Sequence, residues 1–192
     1  MKKLSWKYAA ATCGACLLLF TVSAQAAPAP VHFGRELIKF DDLGGSVVPF
    51  GYGTLSWNGF YVLDAVNYDL NPSGYLAGMK SPNNVLYSSG SASISSSRYA
   101  FILNSAYLTG AWNDNLQVTI QGYYFGKLVY SRTYTLSAVK PTLITFPGQL
   151  VTEVVFTSFG GTHHGGYPGS GEFLATDNVT ATILPIPAYT VF

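Results

Sequence analysis

Leu116, Val118, Ile120 and Gly122 alternate with Gln117, Thr119, Gln121 and Tyr123. A period of two sends the two sets to opposite sides of an extended chain, so this segment is a strand with one buried and one wet face. Phe125-Gly126-Lys127 reverses the chain, and Leu128 to Leu136 returns as the second arm of a hairpin. Further strands are expected over Glu36 to Leu43, Tyr99 to Leu108, Pro141 to Phe146, Leu150 to Ser158 and Glu172 to Ile183, with a short apolar run at Phe60 to Leu63. Asn67 to Asn84 carries Asn71-Pro72, Ser73-Gly74 and Ser81-Pro82, which are turn dipeptides; it reads as a long loop with one short strand at Tyr75 to Met79. Gly160 to Gly171 reads as a second loop. Tyr, Phe, Thr, Val, Ser and Gly are abundant while Glu, Lys, Arg and Met are scarce, which suits pleated sheet and not helix. The expected fold is all-β: one antiparallel β-sandwich or jelly roll over residues 34–183.

The N-terminus sets the compartment. Lys2, Lys3 and Lys7 precede the apolar run Ala15 to Phe20, and Ala24-Gln25-Ala26 offers small residues before Ala27. That is the layout of a secretory signal peptide over residues 1–26, too short for a membrane span. A Pro/Ala spacer over 27–33 and a tail over 184–192 flank the domain. Both cysteines, Cys13 and Cys16, lie in the leader, so the mature chain has no thiol for a disulfide, a thiolate metal site or a nucleophile. Roughly 165 residues are enough to bury a core without covalent staples. Seven cationic side chains face nine carboxylates after the leader, a formal net charge of −2, which argues against nucleic acid and anionic membrane surfaces as partners. A secreted monomer is expected.

The candidate chemistry is sparse. His163-His164 lacks H-x-H or H-x-x-x-H spacing, and neighbours on an extended segment point to opposite sides; a solvated loop is the expected state. Asp64, Asp69, Asp114, Glu153 and Glu172 form no alternating run that would place two catalytic carboxylates on one face. No G-x-S-x-G elbow is present, and Ser105 and Ser158 have no recognisable base nearby. No catalytic residue is assigned, and no enzyme is expected. Aromatic side chains are the best functional material: sugars stack their C–H faces on such rings, and Asn, Gln and Asp bond their hydroxyls. The wet face carrying Gln121 and Tyr123 beside Thr119, and the turn Trp112-Asn113-Asp114, are the candidate ligand-binding residues. Strand rings packed in the core would account for the same composition. Asn178-Val179-Thr180 matches a glycosylation sequon, but it falls in the expected closing strand.

The chain opens with Ile38-Lys39-Phe40-Asp41-Asp42-Leu43 and closes with Phe173-Leu174-Ala175-Thr176-Asp177-Asn178-Val179. Between them run Phe101 to Asn113, Val118 to Tyr123 and Gly126 to Tyr130. Together these resemble the secreted β-sandwich ectodomains of bacterial PEP-CTERM sorting proteins, over almost the whole mature chain. The family's Pro-Glu-Pro motif and following span have no counterpart in Leu184 to Phe192, so a member of this kind is expected to be released. The two ends are also similar to jelly-roll carbohydrate-binding modules. That resemblance implies a jelly-roll, galactose-binding-like sandwich with adjacent first and last strands and a structural calcium ion held by Asp41 or Asp42 with Asp177; turn-capping roles for these carboxylates are the alternative.

The expected function is a secreted, non-catalytic module that binds an extracellular polysaccharide or another matrix polymer. A structural matrix or surface component is the second expectation, with Val85 to Tyr87 as an uncharged edge for self-association. A glycan-active hydrolase is the third.

Overall fold

A computed structural model describes residues 33–44 and 47–186. The leader, the spacer to residue 32 and the tail beyond residue 186 lie outside them. Thirteen strands, β1 (Gly34–Ile38), β2 (Ser56–Asn58), β3 (Tyr61–Asp64), β4 (Asn84–Ser89), β5 (Ser91–Ser95), β6 (Tyr99–Gly110), β7 (Asn113–Asp114), β8 (Leu116–Tyr124), β9 (Lys127–Leu136), β10 (Thr142–Thr145), β11 (Glu153–Phe159), β12 (Thr162–His163) and β13 (Phe173–Pro185), are joined by one short helix, α1 (Gly74–Gly78), and a 3-10 turn at Tyr52–Thr54. One sheet runs β10-β6-β13-β4-β3, with β1 also on β13; the other runs β2-β5-β11-β8-β9. Every pairing is antiparallel. The expected antiparallel sandwich is therefore the observed architecture. Phe101, Leu103 and Leu108 from one sheet meet Ile94, Val118, Ile120 and Phe156 from the other in one buried core.

The alternation in β8 holds: Leu116, Val118, Ile120 and Gly122 are buried, while Gln117, Thr119, Gln121 and Tyr123 face outward, half-buried. The first and last strands are neighbours, with Ile38 opposite Val179. Along one flank of β13, Phe173–Thr176 pair with β4 and Val179–Ile183 pair with β1. The strand changes partner at Asp177-Asn178, where the register with β6 is bulged and Asn178 has φ of 50°. Asn tolerates that left-handed backbone better than most residues.

Two sequence expectations are corrected. Tyr75 to Gly78 lie in helix α1 and Met79 is its extended C-cap, so this segment is not a strand, despite two glycines of low helix propensity. Ser73 Oγ caps it by accepting from Leu76 N–H. Gly74 and Gly78, four apart on one face, rest directly on β6: a Cβ at Gly74 would meet Gly110 O at 1.9 Å, and one at Gly78 would meet Thr109 Oγ1 at 2.6 Å. Val85 to Tyr87 is no edge, because β4 lies between β13 and β3. The Gly160–Gly171 loop is mostly solvent-exposed, as expected, but it is tethered. It contributes β12, which pairs with β7 as Thr162 opposite Asp114 and His163 opposite Asn113.

An aromatic cleft on the outer face of the larger sheet

A second apolar cluster lies apart from the inter-sheet core. Val85 and Tyr87 alternate with inward Leu86 on β4, so they point to the outer side of the six-stranded sheet, and Ala111, Trp112 and Ala175 join them. Helix α1 lays Tyr75 over this surface, and the segment before it brings Tyr68. The rings pack edge-on: Tyr75 lies 5.3 Å from Trp112, 5.4 Å from Tyr68 and 5.8 Å from Tyr87, centre to centre. Such contacts fix ring orientation beyond what area burial alone provides.

Between these rings lies a cleft of about 270 Å³, lined by Leu63, Tyr68, Leu70, Tyr75, Tyr87, Trp112, Gly169, Ser170 and Phe173. None of the nine is charged. Leu70 on the cleft wall is 44% exposed, and the exposed Tyr61 ring lies 5.5 Å from Tyr87, so apolar surface continues beyond the cleft. Burial pushes the Tyr75 phenol far above its ordinary range, with Tyr68 and Tyr87 adding to it; burial likewise raises Tyr68, helped by Tyr87 and Asp69. Both therefore stay as neutral hydroxyls, able to donate and accept hydrogen bonds.

The opposite wall is the loop from Gly160 to Gly171, and several contacts hold it. His164 N–H donates to Trp112 O at 2.7 Å, and His164 Nδ1 meets Asp114 Oδ2 at 2.5 Å. Asp114 Oδ1 accepts from Ala138 N–H, and Tyr167 donates its hydroxyl to Ala138 O while its ring stands against His164. The hydrogen bond from His164 holds the Asp114 carboxyl below the usual carboxylate range. Gly169 lies flat on the indole: a Cβ there would be 2.4 Å from Trp112 Cζ2, so only glycine permits this approach.

The structure divides the five candidate ligand residues. Trp112, 3% exposed, sits beneath the cleft and lines it. Asn113 and Asp114 brace the wall from behind, Asn113 donating to Gly160 O and Asp114 pairing with His164. Gln121 and Tyr123 are elsewhere, on the outer face of the other sheet. The turn reading of Trp112-Asn113-Asp114 thus found the cleft but not the roles. Tyr68, Tyr75, Tyr87 and Phe173 are not among the ligand candidates read from the sequence; Val85-Leu86-Tyr87 is apolar throughout and carries no polar alternation to mark the face that Tyr87 takes.

The three carboxylates considered for calcium lie near the β13 partner change. Asp177 is fully buried; its Oδ2 accepts from Lys80 and Ser81 N–H, and its Oδ1 from Ser81 Oγ and Asn178 N–H. Burial outweighs these bonds and raises its pKa. Asp41 accepts from Asn84 N–H, and Asp42 from the Tyr52 hydroxyl. Among the described residues no three of His, Cys, Asp and Glu are gathered where they could hold a metal. Also among them, no helix is long and apolar enough to cross a membrane.

No family model and no curated protein matches the sequence. Among solved structures, a DUF4465 family protein from Bacteroides caccae is 12% identical with a TM-score of 0.57, over 79% of this chain and 99% of that chain. A DUF4465 family protein from Bacteroides ovatus is 10% identical with a TM-score of 0.46, over 79% and 95%. A family 29 carbohydrate-binding module is 13% identical with a TM-score of 0.39, over 76% and 89%. The first likeness is one of fold; the lower scores of the other two add nothing to the reading of the site.

Proposed function

We propose that this domain is a secreted, non-catalytic binding module that takes a short, uncharged saccharide into the aromatic cleft. One observation carries the reading: five aromatic rings and two aliphatic side chains converge on a cleft with no charged lining. Pyranose rings have apolar C–H faces that stack on such rings, and the Tyr68, Tyr75 and Tyr87 phenols with Ser170 supply neutral partners for sugar hydroxyls. Uronates, sialic acids and phosphates are disfavoured, because no cation lines the cleft to balance their charge. Paired-carboxylate hydrolysis has no acid or base within the lining.

Calorimetry against neutral oligosaccharides, with an oligouronate as control, tests this. The neutral ligands bind and the uronate does not. Tyr87→Ala lowers affinity at least tenfold, about 1.4 kcal/mol, while the fold survives by circular dichroism. If millimolar neutral saccharides produce neither heat nor a change in tryptophan fluorescence, the reading is wrong.

A further inference from the structure

The wet face of β8, singled out by its alternation, takes no part in the cleft. Its register with β11 sets Phe159 opposite Gln117, Thr157 opposite Thr119, Val155 opposite Gln121 and Glu153 opposite Tyr123, making one strip two strands wide. Thr119 shares a hydrogen bond with Thr133 on β9, and Gln117 accepts one from Thr135, so that end is preorganised. Farther along, the Gln121 amide and the Tyr123 phenol face outward from the alternating strand, half-buried. An aromatic ring stands at each end: Phe159, 43% exposed, and Tyr123, offset by six strand residues or roughly 20 Å at ~3.3 Å each. Glu153 is the only charged side chain on the strip. Solvated sheet surfaces ordinarily carry charges of both signs for solubility, and this one does not.

We infer that this strip is a second docking surface, separate from the cleft, for a single chain of a linear uncharged polysaccharide lying along β8 and β11. The terminal rings stack on sugar faces, and Thr157 and Gln121 exchange hydrogen bonds with hydroxyls between them. The lack of charge favours a neutral polymer over an anionic one, since nothing on the strip would offset the desolvation of carboxylates. The inference shares the carbohydrate class with the proposed function but none of its residues.

Depletion of the full-length protein by regenerated cellulose, insoluble xylan and chitin tests it, alongside calorimetry with short neutral oligosaccharides. The wild type should partition onto at least one of these polymers. The double variant Tyr123→Ala with Phe159→Ala should lose at least tenfold in partition and keep its affinity for short oligosaccharides. Tyr87→Ala should do the reverse. Thr157→Lys, which adds a cation to the strip without touching the core, should also lose polymer binding and guards against a folding defect in the double variant. Failure of the wild type to partition, or equal retention by the strip variants, overturns the inference. A strip-dependent dimer in light scattering without polymer retention overturns it in favour of self-association. Loss of oligosaccharide binding by the wild type, with strip-dependent polymer retention intact, would sink the cleft reading alone.

Discussion

The two outer faces of the sandwich use tyrosine in opposite ways. On the six-stranded sheet, Tyr75 lies nine-tenths or more buried among Tyr68, Tyr87 and Trp112, and its ring serves packing and cleft lining together. On the five-stranded sheet, Tyr123 stands half-buried on β8 between cross-strand neighbours on β11 and β9. The cause is connectivity. The β3–β4 connection is long and folds α1 and Tyr68 back over its own sheet, whereas β8 and β9 are joined by the tight Phe125-Gly126 turn, which is too short to fold back. A ring packed beneath a covering segment contributes to stability, and a half-buried strand ring contributes less.

That contrast breaks first at Trp112. Trp112→Ala removes the ring beneath the cleft and should cost about 3–5 kcal/mol, whereas Tyr123→Ala should stay within about 0.5 kcal/mol. Urea unfolding of the two variants measures the difference, and equal losses would mean the faces are energetically alike. Next in size is Asp177→Ala, which strands the Lys80 and Ser81 amides that anchor the end of α1; a loss of about 1–3 kcal/mol is expected, with an unchanged urea m-value. A smaller effect, confined to the cleft, is expected for Gly169→Ala. Its methyl must push the loop off the indole, so oligosaccharide affinity should fall several-fold while polymer binding at the strip is unaffected.

The smallest effect is a pH dependence. The hydrogen bond from His164 holds the folded Asp114 pKa below the ordinary aspartate value, so its contribution to holding the loop is present above that ordinary value and is lost as pH falls through the lower folded pKa. The side chains of this pair are 27% and 37% exposed, so solvent screens the interaction and the effect is local. Tyrosine and tryptophan fluorescence in acid should report loosening around Trp112 and Tyr167 before global unfolding. Asp114→Asn should remove that early step, and an identical acid profile in the variant would exclude the pairing as its cause.

Much of the sandwich was legible because strand identity is a local property. The alternation of Leu116 to Tyr123 and the reversal at Phe125-Gly126 dictated β8, the turn and β9 without reference to any distant residue. Tyr75 to Met79 was misread for a physical reason. A five-residue helix with two glycines has almost no intrinsic stability, so its conformation comes from lying against β6, where a side chain at Gly74 or Gly78 would not fit. The tether on His163-His164 is equally non-local: flanking glycines signal freedom locally, yet β7 and Asp114, about fifty residues away, hold the segment.

The class of structure is written locally: extended strands, their buried and wet sides, the tight hairpin, and a charge-poor, aromatic-rich composition. Which aromatics meet depends on strand pairing. The cleft unites Leu63, Tyr87, Trp112 and Phe173 from separate strands and connections, because β13 pairs with both β4 and β6 on the same sheet. Periodicity acts between residues two apart and records a side chain's face. Pairing order acts across a hundred residues, and it decides which faces are covered.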